Sequence, residues 1–321
     1  MPLSDIRGQA RALKGLSTLL STRRLPPALL FIGPSGVGKS SAALEFAKAL
    51  NCAEDALDAC GLCASCASAD KGTDPDLVRV DAAYQAGLLG EEEAKQRSIR
   101  VDTVRHLISG LELRSLDGRW KTAIVEDAHL LVTAAANAML KALEEPPART
   151  LWILVTHRPE LLLDTIRSRC QVVRFSPLSP GLLASLLAER GVPGKEAHGL
   201  ARTSEGSLGR ALALRAAAEA EGRIPDPAEW LTDPLAPIRL AEGLPKELHL
   251  SRPAVEEHLR RMAWHLRSTH GTDGYASASV RALLREFAGL RKALQSNADP
   301  RLVLQLAALG LERAVAKGRP S

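Results

Sequence analysis

Ala28-Leu29-Leu30-Phe31-Ile32-Gly33-Pro34-Ser35-Gly36-Val37-Gly38-Lys39-Ser40 is the segment from which the fold of this 321-residue sequence follows. Its first five residues are apolar, follow two prolines and precede a glycine, which is typical of a buried strand. The rest fits the spacing G-x-x-x-x-G-K-[ST], and a helical pattern begins at Lys39. A strand, a glycine-rich turn and a helix in this order predict a loop that binds phosphate groups.

The loop residues have separate expected tasks. Glycines let backbone N–H groups face the phosphates, and the start of the following helix attracts negative charge. Lys39 is expected to reach the β- and γ-phosphates, and Ser40 to offer its hydroxyl to Mg²⁺. ATP or ADP with Mg²⁺ is therefore the predicted cofactor. The alternative is a purely structural glycine turn, or a loop that no longer binds nucleotide.

Short apolar runs alternate with helical patterns through the first half of the chain, which favours an α/β fold. Because the runs are apolar throughout, they predict a parallel sheet covered on both faces. Residues 83–98 are charged and contain glycine, so we expect an exposed loop or a frayed helix edge there. The predicted strands cover residues 28–32, 77–80, 122–125, 151–155 and 171–175.

Beyond Pro177 the pattern becomes helical. Ser179-Pro180 is typical of a helix start, and later Leu-rich stripes recur at helical spacing. The stretch from Arg223 to Pro227 has the composition of a linker. These features predict three domains: a nucleotide-binding domain at 1–177, a small helical domain at 178–222 and an all-α domain at 223–321.

Composition excludes several classes of protein. Hydrophobic residues make up 45% and charged residues 25%, which argues against disorder. No apolar run is long enough to cross a membrane, and the N-terminus lacks the apolar core of a signal peptide. We therefore expect a cytoplasmic protein without membrane contact. A net charge of +5 permits contact with nucleic acid but does not demonstrate it.

An acidic pair, Glu126-Asp127, follows the third predicted strand. In ATPases with this loop, one carboxylate holds the water shell of the metal and the next polarises the attacking water. Their usual order is Asp then Glu, so the order here is reversed. A displacement of about one methylene can cost about a hundredfold in rate. We expect nucleotide binding with weak or absent hydrolysis; a surface acidic pair that caps the strand is the alternative.

Four cysteines lie close together directly after the helix that follows the loop: Cys52, Cys60, Cys63 and Cys66. Four thiolates satisfy tetrahedral Zn²⁺ and leave no open position, so the predicted zinc site is structural. Free thiols or an iron–sulfur cluster are the alternatives. Cys170 lies far off in the sequence and is expected to be an ordinary buried thiol.

Together these motifs resemble the bacterial clamp-loader subunits of the AAA+ class. The resemblance covers nearly the whole chain and is most specific where several short motifs combine. They are Ile6-Arg7-Gly8-Gln9, the phosphate loop, the four cysteines, Ile99-Arg100-Val101-Asp102, Leu140-Lys141-Ala142-Leu143-Glu144-Glu145-Pro146-Pro147, Ser168-Arg169-Cys170, Gly206-Ser207-Leu208-Gly209-Arg210 and Asn297-Ala298-Asp299-Pro300-Arg301-Leu302.

The resemblance implies roles for three further residues. Arg169 matches the arginine finger, which in the family reaches the ATP of the adjacent subunit. Thr156 matches the first sensor position, which reads the γ-phosphate. Arg210 lies near the second sensor position, which the family's ATPase subunits place where Gly209 stands here. The resemblance also implies a small helical lid at 178–222 and an oligomerisation collar at 223–321.

Two subunit types share this pattern: the gamma/tau motor, which hydrolyses ATP, and the delta-prime stator, which hydrolyses poorly and lends its arginine finger. The reversed acidic pair, the displaced second sensor and the end at Ser321 favour delta-prime, whereas the intact phosphate loop favours gamma/tau. Either type implies the sliding clamp, primed DNA and the other loader subunits (gamma/tau and delta) as partners within the DNA polymerase III holoenzyme. A stand-alone P-loop kinase is a third hypothesis, but it explains neither Ser168-Arg169-Cys170 nor the helical last third.

Overall fold

The computed structural model describes residues 2–54, 57–93, 96–113, 115, 119–221, 236–244, 248–270, 278–295 and 298–317. The chain divides into two compact units, Met1–Arg215 and Ala216–Ser321. The first unit contains both the sheet and helices of the predicted lid. The predicted linker from Arg223 to Pro227 and the boundary at 222/223 lie outside the described residues.

Five parallel strands form one sheet in the order β2-β3-β4-β1-β5. The predicted strands are confirmed, with ends that shift by no more than one residue. The first strand lies inside the sheet, with Ala28 opposite Trp152 and Leu29 opposite Gln171. The strands are β1 (Ala28–Ile32), β2 (Leu77–Val80), β3 (Lys121–Val125), β4 (Thr150–Thr156) and β5 (Gln171–Arg174).

The two faces of the sheet bury separate apolar cores. Along β1, Leu29 and Phe31 belong to one core, and Ala28 and Leu30 belong to the other. This alternation follows from the period of two in a strand, and both sets are apolar because both faces are covered. The covering helices are α1 (Ala10–Thr22), α2 (Lys39–Leu50), α3 (Ala64–Asp70), α4 (Ala82–Leu89), α5 (Val101–Glu112), α6 (Thr133–Glu144) and α7 (Asp164–Arg167).

Helix α4 corrects the expectation for residues 83–98. The side chain of Asp81 accepts a hydrogen bond from the backbone N–H of Tyr84 and so starts the helix, which ends at left-handed Gly90. Gln85 is buried; its amide donates to the carbonyl of Ser98 and accepts from the backbone N–H of Arg100. The charged residues that suggested a loop follow this helix.

The first unit ends with three helices, α8 (Pro180–Ala188), α9 (Gly194–Thr203) and α10 (Leu208–Glu221), the last of which continues past the unit boundary at Arg215. Ser179 starts α8 as predicted, because its side chain accepts from the backbone N–H of Leu182. The three helices share a small apolar core that includes Leu183, Leu187 and Ala201.

The described part of the second unit is helical. Its core contains the predicted stripe of Val255, Leu259, Met262 and Leu266. Among the helices described, none combines the length and apolarity that a membrane-spanning helix needs. The helices are α11 (Ala236–Gly243), α12 (Leu248–His270), α13 (Ala278–Gln295) and α14 (Pro300–Lys317).

The last helix carries its leucines on two faces. Asp299 caps it by accepting from the backbone N–H groups of Arg301 and Leu302, as the Asp-Pro pair predicts. Val303, Leu304 and Ala307 are buried in the core. Leu302, Leu306 and Leu309 are exposed, although they follow the same helical spacing. Asn297, which the resemblance includes in this segment, lies outside the described residues.

Candidate functional site

The glycine-rich loop connects the end of β1 to the start of α2. Gly36 and Gly38 have φ of 71° and 99°, a left-handed conformation that favours glycine. The Lys39 ammonium donates to the carbonyls of Gly33 and Pro34 at 2.9 and 2.6 Å, so its side chain folds along the loop. Burial lowers the pKa of Lys39, and the nearby carboxylates of Asp127 and Glu126 oppose this shift.

Gln9 holds the loop to the rest of the unit. Its buried side-chain amide donates to the carbonyls of Val37 and Ser176 at 3.3 and 2.8 Å. Its oxygen accepts from the backbone N–H of Ser176 at 2.9 Å. The N-terminal segment, the loop and the end of β5 are thus fastened together by one side chain. The sequence contains Gln9 in a family motif, but its spacing carries no sign of this task.

The first helix turn of α10 lies directly against the loop. The backbone N–H of Gly209 donates to the carbonyl of Gly36 at 3.2 Å. A Cβ built on Gly209 would lie 3.1 Å from the Cα of Gly36, and one on Gly36 would lie 2.3 Å from the Ser207 hydroxyl. Two glycines are therefore needed for this close approach of backbones.

A cavity of about 380 Å³ opens beside the loop. Its wall brings together predicted residues from Ser35 to Ser40 and the acidic pair. It also contains Arg7, which belongs to the motif Ile6–Gln9 but was assigned no role, and Arg190, which no motif includes. Among the described residues that line this cavity, neither Arg169 nor Thr156 nor Arg210 is present.

The two carboxylates of the acidic pair have different partners. Ser40 Oγ donates to Glu126 Oε2 at 2.6 Å, and Arg79 Nε donates to Glu126 Oε1 at 3.1 Å. Burial raises the pKa of Glu126. Asp127 has a left-handed φ of 43°, and its Oδ1 lies 3.4 Å from His157 Nδ1. The hydrogen bond from His157 lowers the pKa of Asp127.

Thr156, the predicted first sensor, ends β4 and is buried. Its hydroxyl lies 3.2 Å from His129 Nδ1 and accepts from the backbone N–H of Arg158 at 3.0 Å. Burial lowers the pKa of His129 to about 4, so its ring is neutral near pH 7. The hydroxyl of Thr156 is thus engaged with the histidine that follows the acidic pair.

Arg169 and Arg210, to which the resemblance assigns roles, form ion pairs and do not line the cavity. Arg169 is exposed; it donates to Glu144 Oε1 at 2.5 Å and to the carbonyl of Thr165 at 2.9 Å. Arg210 lies 3.1 Å from Glu205 Oε2. Cys170 packs against an apolar core as expected, and burial raises the pKa of its thiol to about 12.

The four clustered cysteines come together as their spacing predicts. Their Sγ atoms all lie within 4.8 Å of one another, and none of them forms a disulfide. Hydrogen bonds from backbone N–H groups lower the pKa of Cys63 to about 6. The N–H of Ala53 has the largest effect, and that of Cys66 the next largest. Cys60 Sγ accepts from the backbone N–H of Cys63 at 3.3 Å. Four sulfur atoms this close together fit a tetrahedral zinc ion.

The parallel sheet, with a glycine-rich loop between its inner strand β1 and helix α2, defines a P-loop α/β protein. A family model described as DNA polymerase III, delta subunit, matches residues 8–179. The chain belongs to this family, and the resemblance to clamp-loader subunits is confirmed at the family level.

Relatives of both subunit types match the chain. It is 32% identical over 226 residues to the DNA polymerase III subunit tau/gamma of Haemophilus influenzae, and the match covers 68% of this chain and 31% of that protein. It is 36% identical over 184 residues to the subunit delta' of Bacillus subtilis, covering 57% of this chain and 52% of that protein. The match thus spans about half or less of these relatives.

A solved structure agrees on the fold. The gamma subunit-related protein of Thermotoga maritima superposes with a TM-score of 0.50 at 18% identity. The superposition covers 93% of this chain and 99% of that one. At this identity the likeness concerns architecture alone.

Proposed function

We propose that this chain is a delta-prime-type subunit of the DNA polymerase III clamp loader, which helps load the sliding clamp onto primed DNA. In this role it lends Arg169 to ATP bound by a neighbouring subunit. The observation that carries the proposal is the position of Arg169, exposed and outside the chain's own cavity. A guanidinium presented outward suits charge that develops on a phosphoryl group held by another protein.

The geometry of the acidic pair supports weak hydrolysis in this subunit. Glu126 contacts Ser40, where a magnesium ion would be held, but Asp127 turns toward His157. The backbone N–H of Gly209 contacts the loop at the position where the family's ATPases carry an arginine. The chain therefore lacks a side chain for the second sensor role at that position, and its cavity suits nucleotide binding better than turnover.

The gamma/tau motor is the second candidate, and one observation favours it. The phosphate loop is complete from Gly33 to Ser40, and the Ser40–Glu126 contact joins the two groups that a bound Mg²⁺ requires. A brisk ATPase activity of the isolated chain would support this alternative over the stator.

The remaining parts have structural tasks in this proposal. Zn²⁺ held by the four cysteines would anchor the segment between α2 and α3 by neutralising its thiolates.

The helices beyond residue 223 would form the collar, to which the exposed leucines of α14 contribute an apolar face. Residues 178–222 would form the lid over the cavity. A cytoplasmic location agrees with this role and stays a prediction.

Replacing Arg169 in a reconstituted clamp loader tests the proposal. Arg169→Ala should reduce hydrolysis at the neighbouring site by on the order of 10³-fold, as for other arginine fingers, while the complex still assembles. Steady-state and single-turnover ATPase assays with clamp and primed DNA measure this. Arg167→Ala is the matched control. Arg167 ends α7 and is exposed like Arg169, but it forms an ion pair with Asp164 in its own helix. Unchanged hydrolysis with Arg169→Ala contradicts the finger role.

A further inference from the structure

A second group of possible metal ligands lies apart from the cysteines, at the carboxyl ends of β3 and β4. It consists of Asp127, His129 and His157, whose ligand atoms all lie within 4.8 Å of one another. Asp127 Oδ1 lies 3.4 Å from His157 Nδ1 and 3.9 Å from His129 Nδ1. In a tetrahedral site with bonds near 2.0–2.1 Å, neighbouring ligand atoms are about 3.4 Å apart. The spacing thus fits a single small cation.

The local structure orients the three side chains toward one another. The left-handed backbone of Asp127 bends the chain immediately after β3, and β4 is the neighbouring strand, so His157 follows at the same edge of the sheet. The rings of the two histidines meet edge to face, with centroids 4.4 Å apart.

The neighbouring charged groups leave the Asp127 carboxylate available to a cation. The Lys39 ammonium, the nearest loop cation, donates to the carbonyls of Gly33 and Pro34. Ser40 and Arg79 both hold Glu126 and not Asp127. Asp127 and His157 also line the cavity beside the phosphate loop, so a cation bound to them would have access to that space.

We propose that Asp127, His129 and His157 bind a divalent transition metal of the Zn²⁺, Co²⁺ or Ni²⁺ type. Two imidazole nitrogens and one carboxylate oxygen suit these metals, whereas Mg²⁺ prefers oxygen ligands alone. Three protein ligands leave at least one coordination position for water or for a phosphate oxygen in the cavity. The site is separate from the cysteine site and does not depend on whether the chain hydrolyses ATP.

Cobalt titration of the full, tag-free chain tests the proposal. After metal removal under reducing conditions, the protein should take up two equivalents of Co²⁺. One produces the intense charge-transfer absorption of thiolate ligands, and the other produces only weak visible bands. His157→Ala should weaken binding of the second equivalent by at least about tenfold and leave the thiolate absorption unchanged. Excess Mg²⁺ should not displace the second equivalent of Co²⁺.

Matched variants separate a true site from loss of folding or adventitious binding. His198→Ala removes an exposed histidine of α9, away from the cluster, and should keep both equivalents. Asp127→Asn offers a second change at a partly exposed side chain and should also lose the weak bands. Far-ultraviolet circular dichroism reports whether each variant folds. Uptake by the parent chain of only the equivalent with thiolate absorption, or undiminished second-site affinity in folded His157→Ala, overturns the proposal.

Discussion

Lys39 and Arg169 are both cations of the kind that bind phosphate, yet the first unit places them in opposite surroundings. Lys39 is buried, folds along the loop and lines the cavity. Arg169 is exposed, lies outside that cavity and is held by a carboxylate of α6. In the proposed function, Lys39 would serve a nucleotide bound by this chain and Arg169 would serve a site on another protein.

Lys39→Ala should have the largest effect, because it removes the buried ammonium of the phosphate loop. Hydrogen bonds to charged groups contribute about 1.5–3 kcal/mol, so ATP binding by the isolated chain should weaken by roughly 10- to 100-fold. Titration with a fluorescent ATP analogue in the presence of Mg²⁺ measures this. Lys14→Ala, an exposed lysine of α1, is the control. Arg169→Ala should affect this binding far less, and equal losses in the two variants would remove the distinction between them.

Gly209→Ala tests the contact between helix α10 and the phosphate loop, in which the buried Lys39 lies. The new Cβ would lie 3.1 Å from the Cα of Gly36, so either the loop or α10 must shift. We expect a loss of about 1–3 kcal/mol in the free energy of unfolding of the first unit. Urea denaturation followed by circular dichroism measures it.

The control for Gly209→Ala is Gly199→Ala. Gly199 lies inside helix α9 and has open space around the position of a Cβ. Alanine is favoured over glycine in a helix by about 1 kcal/mol, so this variant should be stabilised. If both variants change stability in the same direction, the close approach of loop and lid is not as the structure has it.

Glu144→Gln tests the surroundings of the exposed Arg169 and should change the free energy of unfolding least. It removes the charge that pairs with Arg169, and exposed ion pairs contribute only about 0.2–1 kcal/mol. The free energy of unfolding should therefore fall by less than about 1 kcal/mol, and Glu145→Gln next to it serves as the comparison. A loss of several kcal/mol would mean that Arg169 has a structural role.

Local sequence signals predicted most of the first unit. Strand β1 and helix α2 begin and end where the apolar run and the loop motif predict, because a strand buried on both faces and a glycine-rich turn leave strong local patterns. The stretch 83–98 was predicted wrongly over its first part. There the helix depends on the cap by Asp81 and on the buried hydrogen bonds of Gln85, and no periodic apolar pattern marks either.

The candidate site was predictable only in part. The loop, the acidic pair and the four cysteines carry motifs, and the structure brings each set together. Arg190 and His157 belong to no motif, and the motif that contains Gln9 does not reveal its task, because each of these residues reaches the site from another segment of the chain. Arg169 and Arg210 were selected by resemblance, and their ion pairs with Glu144 and Glu205 became visible only in three dimensions.

Local patterns in the sequence were enough to predict the P-loop sheet, the cluster of four thiols and the helices in the described part of the last third, because periodicity and motif spacing are properties of neighbouring residues. Which charges face the cavity and which face outward depends on how distant segments pack together. The packing turns Asp127 toward two histidines and places the backbone of α10 against the phosphate loop. Parallel strands bring their carboxyl ends to one edge of the sheet, so residues distant in sequence become neighbours there.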